Sequence, residues 1–283
     1  MNVLTKILCI ILTYGLFIAG CATVPITGRR QLVLIPYFEL QSLSSDNYRQ
    51  ILAKSKLSQD AEKVRMVNNI GNKIAWAAED FLRENGASDI AGRSHWEFNL
   101  IEADKTVNAF AMPGGKIAVY TGILSYTQDE AGLAVVIAHE VAHVIANHGG
   151  ERMSQMLLAE FGHTIVSKAV SEKAETTRQF FNLAYGASMN LGLVLPYSRL
   201  HEKEADRIGL ILMARAGYDP GAAIWFWQRM NEAHTGSQIP EFLSTHPVPQ
   251  TRIGDIKNHI PEAMKYYNKR GGVQDEMPRL CKL

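Results

Sequence analysis

Ala131-Gly-Leu-Ala-Val-Val-Ile-Ala-His-Glu-Val-Ala-His-Val-Ile145 decides how the rest of this chain is read. Residues 131–138 are apolar without interruption, so a helix through them is hydrophobic on nearly every side and belongs in the interior of the fold. The sequence then places three ionisable groups in that helix, His139, Glu140 and His143. Burying them costs several kcal/mol unless they are paired or hold a metal. Positions four apart on an α-helix differ by about 40° in azimuth and one turn in height, so the two imidazoles project together and one small cation can bridge them. Glu140, about 100° further round, flanks that face within reach of a water beside the cation.

His-Glu-x-x-His is the arrangement by which zinc peptidases hold their metal, with the glutamate as general base. Zinc needs a third protein ligand and keeps one position open for water. The longer form, H-E-x-x-H-x-x-G-x-x-H, asks for glycine at 146 and histidine at 149. The chain has Ala146 and Gly149, and His148 misses by one place, so that form is excluded. The other form takes a glutamate from a separate downstream helix, and Ser198-Arg-Leu-His-Glu-Lys-Glu-Ala-Asp-Arg-Ile-Gly209 supplies it. Glu202 and Asp206 are four apart and share a face. Glu202 can bind the metal while Asp206 accepts the free N–H of a ligating imidazole, which fixes its tautomer. Glu204 points away from that face and is expected to be solvated or salt-bridged. Gly149-Gly150 is expected to end the motif helix.

Around this helix the pattern is mixed. Val67, Ile70, Ile74, Ala77, Ala78 and Phe81 recur at three- and four-residue steps, predicting a helix opened by Ser58 and Asp60 and closed by Gly86. Trp96, Phe98 and Leu100 alternate with Glu97 and Asn99, the period of a half-buried strand. Residues 105–112 are extended, Pro113-Gly114-Gly115 turns, and residues 117–120 return, which predicts a small antiparallel sheet. Asp219-Pro220 opens a late helix with Trp225, Phe226 and Trp227. Residues 151–197 are expected to form helices over the cleft, with Met153, Met156, Leu157, Phe180 and Phe181 as core. The expected fold is therefore α+β and mostly helical, a single domain over residues 51–283. The strand over residues 107–112, with Asn108, Ala109 and Phe110, is the expected binding edge for an extended peptide.

The chain has 283 residues, 47% of them hydrophobic and 20% charged, which excludes a disordered or collagen-like protein. A net charge of +1 argues against a polyanion binder, so nucleic acid is not an expected partner. Three cysteines, Cys9, Cys21 and Cys281, cannot build a disulfide scaffold. Residues 1–6 carry one positive charge, Lys6, and residues 7–18 are an apolar run. Twelve residues of helix reach roughly 18 Å, short of the ~30 Å hydrocarbon core, so residues 1–20 are expected to be a signal peptide. Ile18-Ala19-Gly20-Cys21 resembles the lipobox of bacterial lipoproteins. That likeness implies acylation of Cys21, whose chains hold a protein on a membrane at ~0.8 kcal/mol per buried methylene. By analogy with enteric lipoproteins, Ala22 rather than Asp after the cysteine favours an outer membrane, with the protein facing the periplasm. Residues 21–50 are expected to be a tether, with Arg29 and Arg30 near the lipid headgroups.

His139-Glu140-x-x-His143 followed by Glu202-Lys-Glu204-Ala205-Asp206 resembles the gluzincin metallopeptidases that include the CAAX prenyl proteases and bacterial HtpX. Thr27-Gly-Arg-Arg-Gln-Leu32, Val107-Asn-Ala-Phe-Ala-Met-Pro-Gly-Gly115, and Ser244-Thr-His-Pro247 with Arg252 and Ile253 are similar to the exported BepA- and LoiP-like branch. The resemblance implies a zincin-like fold with one zinc ion on His139, His143 and Glu202, and Glu140 as base. It also implies endopeptidase action on misfolded envelope proteins. Tetratricopeptide repeats like those of BepA, and membrane-spanning helices like those of HtpX, are not expected. His246, in the Thr-His-Pro turn, is expected either to donate to the developing oxyanion or to take the open zinc position and hold the enzyme latent. Asp206 is expected to act by orienting a ligand. The alternative is a zinc-binding chaperone or outer-membrane assembly factor with little proteolysis. Glu140 argues against it, because a structural zinc needs no base.

Overall fold

The computed structural model describes residues 21–161, 198–234, 240–246 and 251–267. The expected signal peptide, Cys9, Phe180, Phe181, Pro247 and Cys281 lie outside the described residues. The chain enters through a short antiparallel hairpin, β1 (Cys21–Thr23) and β2 (Arg30–Leu32), and then helix α1 (Tyr37–Lys54). Residues 21–50, expected as a tether, thus pack on the body. Val24, Leu40 and Tyr48 are buried, and the Tyr48 hydroxyl donates to the Ile117 carbonyl at 2.6 Å.

Helix α2 (Ala61–Glu84) starts where the Asp60 side chain accepts from the backbone N–H groups of Glu62 and Lys63, satisfying two orphan donors. It ends just before Gly86, whose φ of 75° suits a residue without Cβ. All six apolar positions read from the sequence face inward. The sheet has three strands, β3 (Glu97–Ile101), β4 (Ala109–Met112) and β5 (Lys116–Tyr120), in the order β3-β5-β4. The β4–β5 hairpin is antiparallel across Gly114 and Gly115, both at positive φ, whereas β3 runs parallel to β5. The sheet is therefore mixed rather than antiparallel. The tight turn fills one side of β5 with β4, so β3 takes the other side, and residues 102–108 carry the chain across. Alternation of side chains does not encode that direction.

After α3 (Leu124–Thr127) comes the central helix α4 (Glu130–Ile145), capped by Asp129, which accepts from the Gly132 N–H at 2.7 Å. Every residue from Gly132 to Ile145 is buried. The helix stops at Ile145, earlier than the glycine pair suggests. Asn147, at φ 52°, bends the chain, and Gly149 and Gly150 lie in the first turn of α5 (His148–Phe161). Asparagine tolerates the left-handed region, so a glycine is not required there. The remaining helices are α6 (Arg199–Arg215), α7 (Ala222–His234), α8 (Glu241–Thr245) and α9 (Arg252–Tyr267). Helix α6 crosses α4 at Gly209, where a Cβ would stand 3.2 Å from the backbone of Ala138 and His139. Among the described residues no single helix is long and apolar enough to cross a membrane.

Candidate metal centre

The close crossing at Gly209 decides what faces His139. Glu202, Asp206 and Gly209 follow one another at four and three residues, so they share the face of α6 laid against α4. The Ser198 side chain caps α6 by accepting from the His201 N–H at 3.2 Å, which sets the start of the helix one turn before the acids. His139 Nε2 and His143 Nε2 approach to 3.1 Å, and Glu202 lies 3.4 Å from each. A fourth donor arrives from the residue that ends α8. His246 Nδ1 is 3.2 Å from His139 Nε2 and 3.1 Å from Glu202 Oε1. All four groups are buried and offer donor atoms within 4.8 Å of one another.

Those spacings test whether a cation fits. Zinc bonds of 2.0–2.2 Å in a tetrahedron put donor atoms about 3.3–3.6 Å apart. Lone-pair atoms of buried side chains held at 3.1 to 3.4 Å from one another come close to that cage. The donor set of imidazoles and one carboxylate is that of zinc.

The groups around the cage orient it. Asp206 Oδ1 lies 3.1 Å from His139 Nδ1. Arg252 grips Asp206 with Nε and Nη2 at 2.8 Å each, reaches Glu202 at 3.1 Å, and has its Cζ over the Trp227 ring, 3.4 Å from the centroid. Asp206 thus connects His139 to a buried guanidinium. Glu140 is 1% exposed, accepts from the Ala111 backbone N–H of β4, and has Oε1 3.3 Å from His246 Nε2.

Burial shapes the charges. It pushes the Glu140 carboxyl above its ordinary range, only partly offset by His246 and His139. It holds His143 well below the imidazole range. For His139 burial acts the same way, but Glu202 and Asp206 outweigh it and hold the ring up at about 9. Glu202 is held well below the carboxylate range because the neighbouring His246 and His139 outweigh its burial. A cation entering this cage displaces protons, so its binding weakens in acid.

The structure brings together His139, Glu140, His143, Glu202, Asp206 and His246. Asn108, Ala109 and Phe110 lie at and beside the start of β4, the edge strand next to Glu140. There Ala109 is buried, Asn108 nearly so, and Phe110 half-buried against Tyr48 and Tyr120. The edge is not free along its length, because the Phe242 N–H of α8 donates to the Val107 carbonyl at 2.9 Å. Glu204 is not solvated but ion-paired with Arg29 at 2.8 Å. Arg252 received no role from the sequence. Its signal was its place just after the Thr-His-Pro turn. His148, dismissed as a ligand by its spacing, sits 2.9 Å from His143 on the side away from the cage.

Comparison with known proteins agrees with this geometry. A family profile, peptidase family M48, matches residues 73–260. The mitochondrial metalloendopeptidase OMA1 of Schizosaccharomyces pombe is 34% identical over 248 residues, covering 85% of this chain and 66% of that protein. OMA1 of Homo sapiens is 29% identical over 246 residues, 85% of this chain and 46% of its own length. The beta-barrel assembly-enhancing protease of Yersinia pestis is 31% identical over 218 residues, 74% of this chain and 41% of its own. The chain thus spans from 41% to 66% of the length of these relatives. The matched span holds His139, Glu140, His143, Glu202 and His246, and the chain belongs to peptidase family M48.

Proposed function

We propose that this chain is a zinc-dependent endopeptidase acting on misfolded proteins of a bacterial envelope. The observation that carries the reading is the convergence of His139, His143 and Glu202 from two separate helices, with buried Glu140 beside the first ligand. His139, His143 and Glu202 would hold the zinc. When bound, the ion supplies a Lewis acid that lowers the pKa of a water toward ~7. Glu140, its carboxyl raised by burial and tied to the Ala111 N–H, takes the proton of the attacking water and returns it to the leaving amide nitrogen. Asp206 keeps His139 in the tautomer that presents Nε2, and Arg252 fixes Asp206.

His246 completes a four-donor set in the arrangement described, which supports the latent role. Helix α8 carries His246 and also covers the Val107 carbonyl of the edge strand. A peptide that adds to β4 beside Asn108, Ala109 and Phe110 therefore competes with α8, and its arrival frees His246 to act as a donor. The anchor reading rests on residues 18–21. It puts the chain on an outer membrane, facing the periplasm, through acylated Cys21. Cys21→Ser should move the protein from the membrane to the soluble fraction, and unchanged sedimentation would remove the anchor.

The test of the activity is Glu140→Gln, which should keep zinc and lose cleavage of unfolded casein by about 10²–10⁴-fold. A filled four-donor shell is also the pattern of a structural zinc, and this favours the second reading, a zinc-binding chaperone or assembly factor. That reading wins if the unaltered chain and Glu140→Gln behave alike on casein and in cells.

A further inference from the structure

The cage uses His143 through Nε2, and the other nitrogen of that ring leads away from it. His143 Nδ1 stands 2.9 Å from His148 Nδ1, and His148 Nε2 stands 3.0 Å from Glu204 Oε2. Glu204 is in turn gripped by the N-terminal hairpin. Arg29 Nε donates to Oε2 at 2.8 Å, and the Thr27 hydroxyl donates to Oε1. The same guanidinium forks onto Glu151, with Nη1 at 2.9 Å from Oε1 and Nη2 at 2.6 Å from Oε2. Glu151 meets His201 Nε2 at 3.1 Å, and His201 stacks on His148 at 4.6 Å.

These contacts impose an order on the protons. Glu204, between a guanidinium and a hydroxyl, is a carboxylate and can only accept, so His148 Nε2 donates to it. A neutral His148 then has a bare Nδ1, which accepts from His143 Nδ1–H. His143 is left with its lone pair on Nε2, facing the cage. The opposite tautomer would put a proton on Nε2 where His139 Nε2 and Glu202 converge, and no cation could be bound there. The order depends on Glu204 presenting only acceptor oxygens to His148, and the donors of Arg29 and Thr27 hold it in that place.

We propose that Arg29 is a positioning residue of the metal centre, fixing the tautomer and orientation of His143 through Glu204 and His148. The hairpin that follows Cys21 is then part of the site. This role rests on the zinc reading of the cage. The experiment is chelator competition for zinc on the full chain, together with the visible spectrum of the cobalt-substituted protein. Arg29→Met should weaken zinc binding by about tenfold or more and alter the cobalt bands. His148→Phe should show a similar loss, and adding Arg29→Met to it should cost little more, because the route to His143 is already cut. If Arg29→Met does not fold, Thr27→Val loosens Glu204 without leaving a buried charge unpaired, and it should lower zinc affinity to a smaller degree. Unchanged affinity and an unchanged cobalt spectrum in the folded variants overturn the role of Arg29. His139→Ala separates the two readings: loss of zinc there with normal binding in the Arg29 and Thr27 variants removes only the positioning role, whereas retained zinc removes the cage itself.

Discussion

Two clusters of histidines and acids lie on opposite sides of the His143 ring, and they are built from the same kinds of residue to different ends. On one side His139, His143, His246 and Glu202 bring lone pairs to a common point at tetrahedral spacing. On the other, Arg29, Glu151, Glu204, His148 and His201 alternate donors with acceptors, so each carboxylate already has its cation or N–H. In the first, Arg252 reaches Glu202 from the flank and the donor atoms converge on one another, whereas in the second Arg29 sits between the two carboxylates. Composition does not separate a metal site from a salt-bridge network. What separates them is whether the donor atoms face one another or face protons.

The sharpest way to break this comparison is Glu140→Gln, which touches the metal side without removing a ligand. Peptide hydrolysis should fall by about 10²–10⁴-fold with zinc content unchanged by elemental analysis. Loss of zinc along with activity would mean that Glu140 belongs to the cage. Next in size is Arg252→Met, which strips the guanidinium from buried Asp206 and Glu202. Removing one partner of a buried ion pair costs about 3–5 kcal/mol, read as a drop in the urea midpoint of the metal-free chain. A variant as stable as the parent would show that Trp227 stacking, not charge, holds Arg252.

The second cluster is probed by acid. Glu151 stands at about 2 against an ordinary 4.5: burial raises it, but His201 and Arg29 more than compensate. A carboxyl held low adds stability in full above pH 4.5 and loses it as the pH falls toward 2. Urea midpoints of the parent should therefore fall more steeply across that window than those of Glu151→Gln, and parallel curves would remove Glu151 from the network. The smallest effect serves as a reference. Arg49→Ala breaks an exposed pair with Asp46, 2.6 Å long, and should change stability by no more than about 1 kcal/mol.

The motif helix, the convergence of its two histidines and the acid pair on α6 were legible because helical spacing is local: residues four apart must share a face wherever the helix goes. The parallel pairing of β3 was not, since alternation says which side chains point inward and nothing about strand direction. The end of α4 was misread for a related reason. A glycine pair is a stop signal on average, yet here Asn147 makes the turn and the glycines start the next helix. The network behind His143 was the least legible part. Its members come from the hairpin, from α5 and from α6, and only folding brings Thr27 and Arg29 to Glu204, across 177 and 175 positions. Hints existed in the one-place miss of His148 and in Glu204 lying two residues past a ligand, but neither has meaning without the partner.

The missing methyl group at Gly209 has a consequence beyond packing. With 3.2 Å to the Ala138 and His139 backbone, any Cβ there would push α6 outward by tenths of an ångström, and the carboxylate of Glu202 would travel with it. Position 209 therefore works as a caliper: the absence of one carbon sets how near the Glu202 carboxylate stands to the two imidazoles of α4.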